Sequence, residues 1–274
     1  MKIKYLGTAA FEGIPALFCE CRICKKTRAA GGRNLRSRQQ ALINDELLLD
    51  YNADTVWHAQ KYGLDFSRIG DCLITHSHCD HLYPDDSEIA AKPYSGEHPP
   101  IRFYAARDGY VKLKTFSEKP YSNASVTLIE AGREFFTANG KYRVLPLKAD
   151  HDPSSSPVIY AIENGGKRML YAHDTGVFPE ETYSALKSFG RLDFISFDCT
   201  GCLGEGADWR YGHMSVKTNA EVLSRLRACG AADDNTKVVL SHFSHNGGAT
   251  YDEMLAAETE YGMTVAYDGL EIEF

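Results

Sequence analysis

Six consecutive residues, His76-Ser77-His78-Cys79-Asp80-His81, place four metal-ligand side chains in one short stretch. Neutral imidazole is the commonest protein ligand for transition metals, and carboxylates complete mixed nitrogen and oxygen donor sets. A turn at a strand end can aim His76 and His78 at one ion while Asp80 and His81 face a second. A solvated polar loop accounts for one such histidine, but crowded imidazoles without a metal each need a separate partner. Further candidates each follow a short apolar run: His151 in Lys148-Ala149-Asp150-His151, Asp174 in Tyr171-Ala172-His173-Asp174-Thr175-Gly176, and His242 in Leu240-Ser241-His242. A carboxylate can span two cations with its two oxygens, and a hydroxide between those cations is a nucleophile at neutral pH. Paired cations suit a phosphodiester, because they stabilise the attacking oxygen and the charge growing on the phosphoryl oxygens. Asp150 and Asp152 are equally available carboxylates, and Asp174 taken alone could cap a turn.

A second cluster is built from sulfur. Cys19-Glu20-Cys21-Arg22-Ile23-Cys24 offers three thiolates, one short of the four that close a structural zinc site. His245, three residues after His242, is the candidate fourth ligand, so one loop could reach both a catalytic and a structural ion. In a reducing compartment such clusters point to metal rather than to disulfides. Cys199-x-x-Cys202 lacks the helix context of a redox pair and reads as packed thiols. Arg33, Arg36 and Arg38 read as a solvated charged face rather than a phosphate site. His58, His98 and His173 receive no role, and Ser154-Ser155-Ser156 reads as a rim of the site or a hairpin loop.

The elements that would position these groups are short and alternate in type. Strands are expected at 2–7 and 41–51, the second folded back at Asn44-Asp45, followed by a helix at 55–62. Cys72-Leu73-Ile74-Thr75 is too short for a helix and runs directly into the histidine-rich turn. Later strands are expected at 101–105, 126–129, 143–147, 158–162, 169–172, 194–197 and 238–240, with hairpin chemistry at Asn164-Gly165-Gly166. Helices are expected at 180–189, at 216–229 behind a Ser215 cap, and at 251–261. This order fits an α/β (α+β) arrangement of two mixed sheets packed face to face under outer helices better than a doubly wound parallel sheet.

Composition sets the outer bounds. A hydrophobic fraction of 43% and a charged fraction of 24% are globular values, which sets aside a disordered or fibrous chain. With no dividing linker and no internal repeat, residues 1–274 read as one domain. The start Met1-Lys2-Ile3-Lys4-Tyr5 has no signal-peptide core, and nowhere do about 18 apolar residues run together, so a cytoplasmic protein without a membrane partner is expected. A net charge of −7 argues against a general polyanion binder, although the positive field of bound metal is invisible in that sum and leaves nucleic acid open. Oligomeric state is not readable, with a homodimer the commonest soluble assembly.

On these motifs the whole chain resembles the metallo-β-lactamase superfamily, from the first strand to Ala266-Tyr267-Asp268-Gly269-Leu270-Glu271-Ile272. The resemblance implies an αββα sandwich with His76, His78 and His151 on one ion, Asp80, His81 and His242 on the other, and Asp174 bridging them. Its flavodiiron members carry glutamate where this chain has His78, which disfavours diiron redox chemistry; a mononuclear iron dioxygenase shares the His-x-His-x-Asp-His string. Gly13-Ile14-Pro15-Ala16, the cysteine cluster and Arg33-Asn34-Leu35-Arg36-Ser37-Arg38 resemble the cyclic phosphodiesterases of the carbon-phosphorus lyase pathway. That likeness implies a structural zinc on Cys19, Cys21, Cys24 and His245, active-site manganese, and hydrolysis of 5-phosphoribosyl 1,2-cyclic phosphate to the 1,5-bisphosphate. Gly212-His213-Met214-Ser215 resembles a motif of these enzymes and of ribonuclease Z-like phosphodiesterases. It implies His213 as a phosphate ligand or an acid for the leaving oxygen, so that Asp80 and His213 are the catalytic candidates. The expected activity is therefore metal-dependent hydrolysis of a small phosphodiester. The alternatives are a ribonuclease Z-like enzyme, although no glycine- and lysine-rich arm is present, and a non-hydrolytic relative of the dioxygenase or pyrroloquinoline-quinone biosynthesis type. Histidine and aspartate ligands accept Zn, Mn or Fe.

Overall fold

The computed structural model describes residues 1–204 and 208–274. Among these, one seven-stranded sheet has the order β14 (Glu271–Glu273), β1 (Lys2–Gly7), β2 (Gln40–Ile43), β3 (Leu47–Leu49), β4 (Asp71–Leu73), β5 (Ile101–Ala105), β6 (Ala124–Leu128). The other has the order β13 (Thr264–Val265), β12 (Lys237–Ser241), β11 (Phe194–Asp198), β10 (Lys167–Ala172), β9 (Val158–Asn164), β8 (Arg143–Lys148), β7 (Phe135–Phe136). Both are mixed: β3 through β6 are parallel neighbours, as are β10 through β13, and the remaining pairs are antiparallel.

Alternation along the strands separates three apolar layers, because successive side chains leave a strand on opposite faces. Ile3, Tyr5, Ala41, Ile43 and Leu73 meet Val144, Tyr160, Ile162, Met169 and Phe194 between the sheets. The other face of the first sheet, with Leu42, Leu48, Cys72 and Phe103, packs on Leu113 of helix α3 (Arg107–Ser117) and has Tyr62 of α2 (Thr55–Tyr62) against it. The other face of the second sheet, with Leu170, Ile195, Phe197 and Leu240, is covered by α4 (Glu180–Phe189), α5 (Val216–Ala228) and α6 (Tyr251–Tyr261). Both faces of each sheet are thus buried, which is why the central strands read as nearly continuous apolar runs. The result is the sandwich expected from the sequence, helices outside and two sheets within.

Two helices went unread in the sequence. The first, α1 (Arg22–Ala30), starts inside the cysteine cluster, with the Cys21 side chain accepting from Cys24 N as its cap. The second, α3, carries Gly109 in its first turn, where a Cβ would come 3.2 Å from that of Ala105; the bare position lets the helix start close on its sheet. The strand expected at 41–51 is two strands, turned at Asn44 and Asp45, both with positive φ. No helix among the described residues is long and apolar enough to cross a membrane.

Candidate metal centre

Strand ends of both sheets deliver the candidate ligands to one edge of the sandwich. β4 leads into His76–His81, β8 into His151, β10 into Asp174 and β12 into His242. Asp174 (φ 51°) and His242 (φ 61°) adopt the left-handed conformation, as does Asp50 (φ 68°) just after β3. Such backbone costs an ordinary residue about 1–2 kcal/mol and persists where surrounding contacts hold it.

All seven candidate ligands meet there as two donor sets sharing one carboxylate. In the first set, His76 Nε2 lies 3.0 Å and His151 Nε2 3.3 Å from His78 Nδ1. In the second, His81 Nε2 and His242 Nε2 are 3.2 Å apart, with Asp80 Oδ2 at 3.4 and 3.9 Å from them. Asp174 spans both: Oδ2 lies 2.6 Å from His81 Nε2 and 2.9 Å from His242 Nε2, while Oδ1 is 3.6 Å from His151 Nε2. Donors about 2.0–2.1 Å from a tetrahedral ion stand roughly 3.3 Å from one another, close to these separations.

The outward nitrogens show why a cation belongs between the inward ones. His81 Nδ1–H donates to Asp50 Oδ2 at 2.7 Å, and His76 Nδ1–H to Thr75 Oγ1 at 3.1 Å. His242 Nδ1–H donates to Thr200 Oγ1 at 2.8 Å, and His151 Nδ1–H to the Gly212 carbonyl at 3.1 Å. His78 Nε2–H donates to Asp152 Oδ2 at 3.2 Å. With one proton on each outward nitrogen, the inward nitrogens of neutral rings present lone pairs to carboxylate oxygens, and buried Asp174 Oδ2 gains a donor only when His81 or His242 takes up a second proton. Acceptors converging on acceptors in a buried site require positive charge, which these donors are suited to take from divalent metal.

Charge is divided unevenly between the two sets. Burial opposes protonation of His242, but Asp174 and Asp198 outweigh it and lift its pKa to about 10; His81 is raised likewise by Asp174, Asp80 and Asp50. Burial instead lowers His76 and His151, whose lone pairs are free at neutral pH. Asp174, although buried, is held below the usual carboxylate range by His242 and His81.

Asp198 and Asp50 were not singled out in the sequence. Asp198 ends β11, receives Thr200 N and Met214 N on Oδ1, and accepts from His213 Nδ1–H at 3.0 Å on Oδ2. Desolvation opposes charge on His213, yet Asp198 raises its pKa. The His213 ring stacks on that of His242 at 5.8 Å and lines a cleft of about 510 Å³ with His78, Asp80, His151, Asp174 and His242. Asp50 receives Thr75 N and Oγ1 at 2.8 Å on Oδ1. The readable signal for both was an aspartate closing an apolar strand, as in Phe194-Ile195-Ser196-Phe197-Asp198.

The thiolate cluster also assembles. Cys19, Cys21, Cys24 and His245 bring their donor atoms within 4.8 Å of one another, with His245 Nδ1 at 3.7 Å from Cys19 Sγ and 3.5 Å from Cys21 Sγ. Burial works against charge at Cys21, but Cys24 N, Cys19 and His245 bring its thiol down to about 6, while burial holds Cys24 up at about 12. The remaining groups settle into structural contacts. Asp150 Oδ2 receives Gly212 N, His58 sits between Ser37 and Gln40, and His173 meets Ser196, its pKa lowered to about 3 by burial. His98 contacts the Pro99 and Ala90 carbonyls; Cys199 and Cys202 are buried. The basic stretch is not uniformly a solvated face: Arg36 is buried, bonded to Thr8 Oγ1 and the Ala266 carbonyl, and Arg38 pairs with Asp54. Pro153–Ser155 forms a 3-10 turn in which Ser154 donates to Asp152.

The fold and the His/Asp cluster define a class of metal-binding proteins, and the chain belongs to the beta-lactamase superfamily domain family, whose family model matches residues 52–243. Its architecture is the metallo-β-lactamase fold. Among sequence relatives, the octanoyltransferase of Porphyromonas gingivalis is 26% identical over 285 residues, covering 99% of this chain and 51% of the relative, so the chain spans about half that protein's length. Coenzyme PQQ synthesis protein B of Methylorubrum extorquens is 24% identical over 313 residues, the full length of both. Among solved structures, Zn(2+)-bound PqqB from Methylobacterium extorquens has a TM-score of 0.76 at 21% identity over 100% of each chain. A diphosphatase from the PhnP family has a TM-score of 0.73 at 18% identity over 100% of this chain and 97% of that one. At these identities the structural likeness speaks for the fold.

Proposed function

We propose that this chain is a dinuclear metal-dependent phosphodiesterase acting on a small cyclic phosphate. The observation that carries the reading is the Asp174 carboxylate, which turns one oxygen to His151 and the other to His81 and His242. Divalent ions held by His76, His78, His151, Asp174 and by Asp80, His81, His242, Asp174 would supply Lewis-acid stabilisation of the phosphoryl group and lower the pKa of water. Asp80 and Asp174 bring negative charge that keeps ions in place against a phosphodiester monoanion. His213, fixed through Nδ1 by Asp198, directs Nε2 to the cleft as the acid for the departing oxygen. In balance, water adds its oxygen to phosphorus and loses one proton, the bond from phosphorus to the leaving oxygen breaks, the Nε2 proton of His213 passes to that oxygen, and the proton from water restores His213. Cys19, Cys21, Cys24 and His245 would hold a structural zinc that ties the first loop to the loop after β12.

Among cyclic phosphates, 5-phosphoribosyl 1,2-cyclic phosphate is one candidate, suggested by the Cys/His motif. The full-length match to coenzyme PQQ synthesis protein B favours a second reading, a non-hydrolytic role in cofactor synthesis. Phosphorus NMR of cyclic phosphates with manganese-loaded protein separates them, with Asp174→Ala as control. Ring opening by wild type alone supports the phosphodiesterase. No ring opening with both ions verifiably bound would overturn it.

A further inference from the structure

Beyond the ligands, the cleft is walled by Ala10, Phe11 and Glu12 after β1, by Trp209 after β11, and by Ser244 and Asn246 after β12. Two features of these walls bear on the far end of the substrate. The first is aromatic: Phe11 is 54% exposed, and the half-buried Trp209 indole rests on Gly201, where a Cβ would come within 2.4 Å of the ring. The second is electrostatic. Among the described residues lining the cleft there is no Lys or Arg, while Glu12 brings a carboxylate to its wall. Its Oε1 accepts from Ser244 Oγ at 2.5 Å and faces His245 Nε2 at 3.7 Å, contacts that fix the carboxylate in place. Two bases that touch residues beside the cleft are engaged elsewhere. Arg38 donates to the Phe11 carbonyl and pairs with Asp54, and Lys112, beyond Ser77, pairs with Asp108.

We infer that the cleft selects a cyclic phosphate whose other end is a flat, uncharged ring bearing hydrogen-bond donors, received by Phe11, Trp209 and Glu12, and discriminates against a second phosphate. Stacking on an aromatic side chain needs no charge, and Glu12 accepts from ring amino or hydroxyl groups. A second phosphate would meet the Glu12 carboxylate without a Lys or Arg among the described residues lining the cleft. This rests on the phosphodiesterase reading and ranks, among its candidate substrates, one bearing a flat uncharged ring above the phosphorylated sugar.

Three five-membered cyclic phosphates of similar intrinsic reactivity test it on manganese-loaded protein: adenosine 2′,3′-cyclic phosphate, glycerol 1,2-cyclic phosphate and 5-phosphoribosyl 1,2-cyclic phosphate. The expected kcat/KM for the adenosine substrate exceeds that of the other two by roughly tenfold or more, the scale of one stacked ring. Trp209→Ala and Phe11→Ala bring the adenosine-to-glycerol ratio towards one, and Glu12→Gln raises the 5-phosphoribosyl rate relative to glycerol. Equal rates on all three, or a ratio unmoved by Trp209→Ala and Phe11→Ala, would overturn the inference and leave the phosphodiesterase standing. Failure to open any of them would instead refute the phosphodiesterase.

Discussion

Asp50→Asn isolates the part played by a residue that touches no candidate metal position. Asp50 is fully buried; its Oδ1 takes two donors from Thr75 and its Oδ2 takes the Nδ1 proton of His81. Asparagine has the same shape and tolerates the left-handed backbone that Asp50 adopts, so the main chain is not disturbed. The amide has one acceptor where the carboxylate had two. If its oxygen stays on Thr75, its NH2 confronts His81 Nδ1–H; if it flips, the NH2 confronts Thr75 N–H, which cannot rotate away. The first arrangement drives His81 to the tautomer with its proton on Nε2, aimed at Asp174. Loss of such a histidine-orienting carboxylate weakens metal binding by about 10- to 100-fold, or roughly 1.4–2.7 kcal/mol. The charge-assisted hydrogen bond itself contributes about 1.5–3 kcal/mol to the metal-free fold. Competition against a chelator of known affinity reads the first quantity, and denaturant unfolding of metal-free protein the second. A variant that binds both ions with wild-type affinity would refute the claim that Asp50 sets the His81 tautomer.

Three further outcomes follow from the same geometry. The raised His242, at about 10, and His81 hold protons near pH 8 while the lowered His76 and His151 do not, so loading the active site there should release about two protons per chain, with affinity climbing towards pH 10. Calorimetric titration in buffers of different ionisation heat measures this, and zero release contradicts it. His213→Ala should cut turnover of diesters with alkoxide leaving groups by about a hundredfold and of p-nitrophenyl diesters far less. Asp198→Asn should follow the same pattern, and equal losses on both substrate types would remove His213 from the role of acid. Cys24→Ser should lower metal content by one zinc per chain and reduce thermal stability while two active-site ions remain, as read by elemental analysis and calorimetry.

What could be read from the chain in advance tracks how local each constraint is. His76 to His81 share one turn, and His151, Asp174 and His242 each follow an apolar strand, so short spacing and strand ends exposed them. The sandwich was readable for a related reason: strands buried on both faces stay apolar throughout. Asp50 and Asp198 were not exposed by pattern, because their significance lies in facing His81 and His213, 31 and 15 residues away. An aspartate at a strand end is commonplace until its partner is known. Arg36 was misread for the same reason, its burial against Thr8 and Ala266 being a tertiary fact. Helix α3 was hidden by a glycine in its first turn, where the sheet lies close. Trp209 and Glu12 carry no motif at all, and only the cleft unites them.

The central claim is that Asp174 joins two ions in one site. Electron paramagnetic resonance of zinc-replete protein titrated with manganese tests it most directly, reading whether the two Mn(II) ions are magnetically coupled. The account predicts a coupled-pair spectrum that grows in as the second equivalent binds and is lost in Asp174→Ala. Saturation at one equivalent, or a spectrum of isolated ions at full loading, would contradict it.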